Sequence, residues 1–366
     1  MKRVVVKIGS SSLTSEEGGL SKQNIQFYAD ELASLFNAGN QVILVTSGSI
    51  AAGFKQIGYQ SRPKIVHQKQ AAAAVGQALL MQAYQEAFAK YNITCAQILL
   101  TRYDFSNRTR MNNALMTIEE LLSQNIIPII NENDTVSTNE LDLKFGDNDH
   151  LSALVASMTK ANKLCIVTDM DGLYTADPRK DPHATKIEYV EAISLDILAL
   201  AGGAGSAVGT GGMRSKIEAA RIAMRSGVET FIGKVAQHGD LIAATQSVGK
   251  GTYFHADERT LSMKKQWLGF HSEIRGRIVV DEGAKQALIE GHKSLLPAGV
   301  ISCTGDFTPG DVVDVLNMNK QLIGRGVVNY ATWQLQAAFG LSSDEVQKRL
   351  DVSRIEVIHR DEWITL

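Results

Sequence analysis

A glycine-rich stretch that runs directly into basic residues is the first feature of this sequence that suggests chemistry. Six glycines lie between Gly202 and Gly212, and Arg214 and Lys216 follow them at the start of a predicted helix. Glycine lets backbone N–H groups approach a ligand closely, and a helix N-terminus attracts negative charge. The stretch therefore suggests anion binding, although flexible connectors have the same composition. No Gly-Lys pair is followed by Ser or Thr, which excludes a Walker loop.

Two further groups of charged residues could contribute to the same anion-binding site. Lys7 lies near the end of the first apolar run, and Phe145-Gly146-Asp147-Asn148-Asp149 precedes an apolar helix. A lysine at a strand end can meet an anion, or it can simply extend into solvent. One acid suffices for an N-cap. The second acid is in surplus, which suits a carboxylate held beside lysines or a metal.

Polar residues also follow two other buried runs. Asn131, Asn133 and Asp134 come after one, and Thr168 and Asp169 end another. They could form solvated loops, or the first group could hold an ammonium ion. No histidine lies in an HExxH spacing and no GxSxG is present, so metalloprotease and serine-hydrolase interpretations lack support.

The elements that must position these residues alternate between strand and helix. Apolar, β-branched runs predict strands, and three-to-four-residue apolar spacing after Ser21 predicts a helix that ends at Gly39. The alternation predicts an α/β fold with a mostly parallel open sheet sandwiched by helices. The predicted strands are 4–8, 41–46, 93–100, 126–130 and 163–168, and further helices are predicted at 68–91, 112–122 and from about Met213. Pro128 would remove one ladder hydrogen bond from its strand.

The pattern changes towards the C-terminus. From Gly276 onward, short β-like runs alternate with Gly, Pro, Asp and Asn, and helices are predicted at 284–290 and 343–350. We predict a catalytic domain at 1–256, a linker at 257–272 and a small β-rich domain at 273–366.

Composition bounds the function class. The net charge is −2, and hydrophobic residues make up 44% of the chain. Such a charge gives no general attraction to nucleic acid or anionic membrane. The three cysteines are widely spaced, which argues against a disulfide framework or a CxxC metal site. No apolar run reaches the roughly 20 residues of a membrane span, and the first apolar run is too short for a signal peptide. We expect a cytoplasmic protein with no membrane partner.

Six motifs taken together resemble the amino acid kinase family, and within it the members that phosphorylate glutamate. They are VVKIGSS, TSGSIAAG at 46–53, INEND at 130–134, FGDND at 145–149, TDxxGLYTADPR at 168–179 and GTGGMRSK at 209–216. Residues 276–355 resemble a PUA domain. Ser49 stands where alanine is usual in the family and Ser215 where threonine is usual, and both departures are small.

The resemblance implies that ATP, with Mg²⁺, phosphorylates L-glutamate to L-glutamyl 5-phosphate, the first step of proline biosynthesis. Lys7, Lys216 and Asp149 would be catalytic, and Ser47, Asp134 and Asn148 would bind glutamate. ATP would contact residues in three of these motifs, namely VVKIGSS, TDxxGLYTADPR and GTGGMRSK. The residues are Lys7, Gly9, Ser10, Thr168, Asp169, Thr210, Gly211, Gly212, Met213, Arg214, Ser215 and Lys216. No side chain is expected to ligate the metal, which phosphates and water would hold. The resemblance also implies a homo-oligomer, either a dimer or a tetramer, and feedback inhibition by L-proline.

Two alternatives remain at this stage. Another amino acid kinase, acting on aspartate, N-acetylglutamate, carbamate or UMP, would share the phosphate-binding residues. An RNA-binding protein acting through the C-terminal domain is the other, but from residue 271 onward there are 10 Lys and Arg against 13 Asp and Glu. Phosphate contacts require clustered basic residues, so we do not expect a nucleic-acid partner.

Overall fold

Two compact units make up the structure, which is a computed structural model. One unit consists of Met1–Asp104 with Arg108–Thr260, and the other of Phe105–Asn107 with Leu261–Leu366. The structure describes residues 1–15, 18–136, 148–178, 180–200, 212–257, 265, 267–272, 274–350, 352 and 354–366. None of the helices within these ranges has both the length and the hydrophobicity needed to cross a bilayer.

Strands and helices alternate along the first unit. The strands are β1 (Arg3–Ile8), β2 (Gln41–Thr46), β3 (Cys95–Leu100), β4 (Ile127–Glu132), β5 (Lys163–Val167), β6 (Leu173–Tyr174), β7 (Lys186–Ile187), β8 (Tyr189–Val190), β9 (Glu229–Gly233) and β10 (Gly251–Phe254). The helices are α1 (Ser10–Leu13), α2 (Lys22–Asn37), α3 (Ser49–Gly53), α4 (Val66–Ala89), α5 (Arg102–Ser106), α6 (Arg108–Ser123), α7 (Asn148–Met158), α8 (Leu195–Leu200), α9 (Met213–Arg225) and α10 (Asp240–Thr245).

One sheet orders eight of these strands as β3-β4-β2-β1-β5-β9-β10-β8. Its neighbouring strands are parallel, apart from the antiparallel pair β9 and β10. The prediction of a mostly parallel sheet is thus confirmed. The carboxyl ends of β1, β2, β4 and β5 lie at one edge of the sheet, which is where open α/β sheets bind ligands. Strands β6 and β7 form a separate antiparallel pair.

Helix α2 illustrates how the sequence determines the local structure. Its N-cap is Ser21, whose side chain accepts a hydrogen bond of 3.3 Å from the backbone N–H of Asn24. The buried face of α2 packs in the core that includes Leu80 and Tyr84 of α4 and the apolar side chains of β1 and β2. Gly39 follows the helix with φ at +84°, a conformation that glycine adopts at little cost. The predicted start and end of this helix are therefore confirmed.

Helix α3 lies directly against α4, and two glycines make that approach possible. A Cβ atom on Gly53 would lie 2.0 Å from the carbonyl oxygen of Ala72, and one on Gly76 would lie 1.7 Å from the carbonyl oxygen of Ser49. Both neighbours are backbone atoms, which cannot swing aside as a flexible side chain could. The contact therefore fixes the position of α3 against α4.

The second unit contains a five-stranded sheet. Its strands are β11 (Ile274–Val280), β12 (Val300–Gly305), β13 (Val312–Leu316), β14 (Leu322–Val328) and β15 (Ile358–Thr365), in the order β12-β11-β13-β14-β15. The helices of this unit are Glu282–Ile289, Thr332–Ala338 and Ser343–Arg349, with short helical turns at Trp267–His271 and Pro297–Gly299. The pairs are antiparallel except β11 with β13. A core of its own lies beneath this sheet, and the predicted β-rich character of this region is confirmed.

Strand β15 and the helix Thr332–Ala338 of the second unit were not predicted from the sequence. In the first unit, Pro128 lies within β4, which has a neighbour on each side. The pairing of β4 with β2 begins one residue later, at Ile129. The strand thus accommodates the missing N–H near its start.

Candidate active site

A buried carboxylate between two lysines forms the centre of the site. Asp149 Oδ1 lies 2.6 Å from Lys7 Nζ, and Asp149 Oδ2 lies 3.0 Å from Lys216 Nζ. The Asp149 side chain is 0% exposed, and those of Lys7 and Lys216 are 6% and 8% exposed. The hydroxyl of Ser215 also donates to Asp149 Oδ2, at 2.9 Å.

Three elements that lie far apart in the sequence bring these groups together. Lys7 is the penultimate residue of β1, Asp149 the second residue of α7, and Lys216 belongs to the first turn of α9. Helix α7 packs against both β1 and α9. All residues of α7 except His150 are buried, so Asp149 is held at the interface of these elements.

The electrostatics of this cluster favour an anion. Burial by itself would raise the pKa of Asp149, but the charges of Lys7 and Lys216 outweigh it and hold the pKa well below its usual value. The carboxylate is therefore ionised at neutral pH. Two ammonium groups and one carboxylate leave one positive charge in excess at a site where water is largely excluded. Interactions between charges are stronger there than in bulk water, so the excess positive charge can offset the negative charge of a ligand.

Beside this cluster, Asn148 links the ends of two strands. Its side-chain amide donates to the hydroxyl of Ser47 at 2.8 Å and to Asn131 Oδ1 at 2.9 Å, and it also contacts the carbonyl oxygen of Thr46. Asn131 in turn donates to Gln77 Oε1 at 2.9 Å. Because buried polar groups are costly unless they are paired, this network gives Asn148 and Ser47 fixed positions. Gln77 was not identified as a site residue from the sequence.

Asp134 lies in the turn that follows β4, where its carboxylate accepts a hydrogen bond. The hydroxyl of Ser49 donates to Asp134 Oδ2 at 2.8 Å. Burial raises the pKa of Asp134, while the Ser49 hydrogen bond and the charge of Arg62 act in the opposite direction. Asp134 therefore offers a partly desolvated carboxylate that could bind an ammonium group. Ser49 was noted in the sequence only as a departure from the family pattern.

The glycines of the candidate site border the lysines. Gly9 is the N-cap of α1, and a Cβ atom there would lie 3.4 Å from Lys7 Nζ. Ser10 is the first residue of α1. Gly212 is the N-cap of α9, where it is exposed and no heavy atom would lie within 4 Å of an added Cβ. Thr210 and Gly211, like Asp147, lie outside the described residues.

The first turn of α9 contains the remaining basic group of the glycine-rich motif. Arg214 is 69% exposed, and its Nε atom donates to Glu218 Oε1 at 3.1 Å, one helical turn away. Met213 is partly buried. The structure thus places the Arg214 guanidinium at the surface of α9 and the Lys216 ammonium in the interior.

A cavity of about 360 Å³ lies at the carboxyl end of β5. Thr168 and Asp169 line it, and the hydroxyl of Thr168 donates to Asp169 Oδ1 at 3.0 Å. The cavity is also lined by Ser11, Ser12 and Lys234, none of which was identified as a site residue from the sequence. The two serines directly follow Ser10, so the run of three serines was the available signal.

Known proteins are similar to this chain over most or all of its length. The sequence model of the amino acid kinase family matches residues 2–234, and that of the PUA domain matches residues 276–350. A glutamate 5-kinase of Bacillus cereus is 47% identical over 366 residues, which cover 100% of this chain and 99% of that protein. A glutamate 5-kinase of Geobacillus kaustophilus is 50% identical and covers 100% of this chain and 97% of its own length. A carbamate kinase from Giardia lamblia bound to AMP-PNP is 20% identical with a TM-score of 0.49, and the match covers 70% of this chain and 99% of that one.

Proposed function

Because the chain belongs to the amino acid kinase family, we propose that it transfers the γ-phosphoryl group of ATP to the γ-carboxylate of L-glutamate. The product is L-glutamyl 5-phosphate, with which proline biosynthesis begins. Two glutamate 5-kinases that match the whole chain at 47% and 50% identity support the choice of substrate. The observation that carries the proposed chemistry is the pair of lysines on the buried carboxylate of Asp149.

The reaction requires charge neutralisation rather than a base. A γ-carboxyl group has a pKa of about 4.3, so the nucleophile is already ionised at neutral pH. It must approach a polyphosphate that is itself negatively charged. Phosphoryl transfer therefore depends on positioning and on cations that offset the developing charge. The excess positive charge at Lys7 and Lys216 meets that requirement.

In the proposed mechanism the two lysines bind the transferring phosphoryl group from two sides. Asp149 orients both ammonium groups and takes no proton, in keeping with its low pKa. Backbone N–H groups of the glycine turns would donate to the phosphates. We assign this role to Gly9 with Ser10 and to the segment Thr210, Gly211, Gly212, Met213, Arg214 and Ser215. Thr168 and Asp169 border the cavity that would receive the rest of the nucleotide.

Glutamate would occupy the adjacent polar region. The Asn148 amide donates to Ser47 at 2.8 Å as well as to Thr46 and Asn131. In this subsite Asn148 would therefore hold the Ser47 hydroxyl, which can donate to a substrate carboxylate. Asp134 would bind the α-ammonium group. This arrangement directs the γ-carboxylate towards the lysines, since Asn148 and Asp149 are consecutive residues at the start of α7.

Mg²⁺ belongs to the proposal as a charge-neutralising partner of ATP. Both oxygens of Asp149 already contact cationic or hydroxyl groups, so this carboxylate does not suit a metal ligand. Among the residues that the structure describes, no group of three or more His, Cys, Asp or Glu side chains could hold a metal ion. We therefore propose that phosphate oxygens and water hold Mg²⁺, where it would offset phosphate charge. Inhibition by L-proline, assembly into a dimer or tetramer and a cytoplasmic location are further parts of the proposal.

Trapping the acyl phosphate tests the substrate. The protein is mixed with Mg-ATP, hydroxylamine and one of several acceptors, including L-glutamate, L-aspartate, N-acetyl-L-glutamate and carbamate, and the hydroxamate is measured. UMP is tested in parallel by ADP release. We expect hydroxamate with L-glutamate alone. Product with L-aspartate or N-acetyl-L-glutamate but not with L-glutamate would overturn the proposal.

A further inference from the structure

The hydrogen bond between Ser49 and Asp134 joins two parts of the site that are 85 residues apart in the sequence. Ser49 is the first residue of α3, and Asp134 lies in the turn after β4. Ser49 is 4% exposed, and its Oγ atom lies 2.8 Å from Asp134 Oδ2. The donor is thus buried, and its acceptor is the carboxylate to which substrate recognition has been assigned.

The backbone of Ser49 is held firmly. Gly48 before it has φ at +111°, a left-handed conformation that glycine adopts without strain. The carbonyl oxygen of Ser49 lies so close to α4 that a Cβ on Gly76 would be 1.7 Å from it. A side chain that acts from a fixed backbone positions its partner more precisely than one on a mobile segment.

We propose that Ser49 is a positioning residue, which orients the carboxylate of Asp134 so that it recognises the free α-ammonium group of the substrate. This inference rests on the proposed function. The hydroxyl occupies Oδ2, so the substrate ammonium binds at Oδ1. A carboxylate in a turn could otherwise rotate about its terminal bond, and the substrate would then have to pay the cost of ordering it.

The same hydrogen bond favours the ionised form of Asp134. Burial raises the pKa of Asp134, and the Ser49 hydroxyl opposes that effect together with the charge of Arg62. A substrate whose amino group is acylated cannot pair with this carboxylate, and the carboxylate would be left desolvated without a partner. Sites built around a specific polar partner reject analogues that lack it. Ser49 therefore contributes to the selection of a free amino acid.

Steady-state kinetics of Ser49→Ala separate positioning from a merely structural role. We expect the KM for L-glutamate to rise about ten-fold, the effect of losing a hydrogen bond to a charged group. The kcat and the KM for ATP should change less than about two-fold, because Ser49 contacts neither phosphate nor nucleophile in the proposed mechanism. Ser226→Ala is the matched control. It likewise removes a serine hydroxyl, but this one donates to the backbone carbonyl oxygen of Ile222 at 2.9 Å, at the C-terminal end of α9. The substitution should leave every parameter near wild type.

A double-mutant cycle with Asp134→Asn tests whether Ser49 acts through Asp134. In the Asp134→Asn background, Ser49→Ala should raise the KM for L-glutamate by less than about two-fold, since coupled residues are not additive. A second full ten-fold increase there would overturn the inference. Ser49→Cys, which keeps the volume but donates weakly, should give an intermediate KM and serves as the second variant if Ser49→Ala does not fold.

The pH dependence of kcat/KM for L-glutamate gives an independent readout. Without the Ser49 hydroxyl the pKa of Asp134 rises further, so the acidic limb of the profile should move to higher pH in Ser49→Ala. An unchanged KM and an unmoved acidic limb, in a variant that retains wild-type kcat, would overturn the inference alone. Absence of glutamate phosphorylation by the wild-type protein would instead overturn the proposed function, and this inference with it.

Discussion

Replacing Lys216 with methionine removes one of the two ammonium groups from Asp149 and leaves a side chain of similar length. Breaking a buried ion pair usually costs about 3–5 kcal/mol, because it leaves an uncompensated charge. Here Asp149 keeps Lys7 at 2.6 Å, so the remaining pair is neutral. We therefore expect the free energy of unfolding to fall by about 2 kcal/mol, the cost of one lost hydrogen bond to a charged group.

Activity should respond very differently from stability. The variant loses the net positive charge of the Lys7, Asp149 and Lys216 cluster. The transition state of phosphoryl transfer requires that charge. Removing one preorganised electrostatic partner of a transition state lowers kcat by about 10²–10³-fold. Lys216→Met should therefore lower kcat by at least that factor, while the KM for L-glutamate changes little.

The assay is ADP release at saturating Mg-ATP and L-glutamate, paired with urea denaturation of the same samples. Lys90→Met is the control, since Lys90 forms a comparable ion pair at 2.6 Å from Asp30 but lies at the surface. It should retain wild-type kcat. A kcat for Lys216→Met within about three-fold of wild type would refute the assignment. Loss of folding would refute the argument that Lys7 compensates Asp149.

Four further predictions address recognition, packing, capping and titration. Asp134→Ala should raise the KM for L-glutamate with little change in the KM for ATP. A change in the KM for ATP alone would contradict the assignment of Asp134 to glutamate binding. Gly76→Ala should lower the unfolding free energy by about 3 kcal/mol, because its Cβ would lie 1.7 Å from the Ser49 carbonyl oxygen. Helix propensity alone would instead raise the unfolding free energy by about 1 kcal/mol. The sign of the change, measured by denaturation, distinguishes the two effects. Glu31→Ala should cost about 3 kcal/mol in the same assay, since the buried Glu31 accepts from the backbone N–H groups of Gly239 and Leu241 at the start of α10. The pKa of Asp149 is lower in the folded protein than its unfolded value of 3.8, so its ion pairs stabilise the fold above that pH and lose this effect as the pH falls through the folded value. The difference in unfolding free energy between wild type and Asp149→Asn should therefore be full at pH 7 and should shrink below about pH 4. A difference that does not depend on pH would contradict this.

The strands that carry the site could be predicted from the sequence because each is a short apolar run ended by polar or glycine residues. Strand β2 was predicted with the bounds Gln41–Thr46 that the structure has. Strand β15 was missed because its sequence, IHRDEWIT, contains three charged residues and buries only part of its length. The helix Thr332–Ala338 spans seven residues, which is too short for a clear apolar periodicity.

The site shows a similar division. Strand ends and glycine turns suggested Lys7, Asp149 and Lys216 separately, and the resemblance to a family joined them, since local patterns carry no information about contacts between distant elements. Ser49 and Gln77 could not be identified in this way. Ser49 contributes through a hydrogen bond to Asp134, and Gln77 through one to Asn131, and both bonds form only after α3, α4 and β4 have packed.

The proposed reaction transfers the γ-phosphoryl group of ATP to the γ-carboxylate of L-glutamate. The most direct test is to quantify ADP and hydroxamate in one reaction with Mg-ATP, L-glutamate and hydroxylamine, and to identify which carboxyl group carries the hydroxamate by mass spectrometry against synthetic standards. We expect γ-glutamyl hydroxamate in an amount equal to the ADP released. Formation of the α-hydroxamate, or ADP release without hydroxamate, would contradict it.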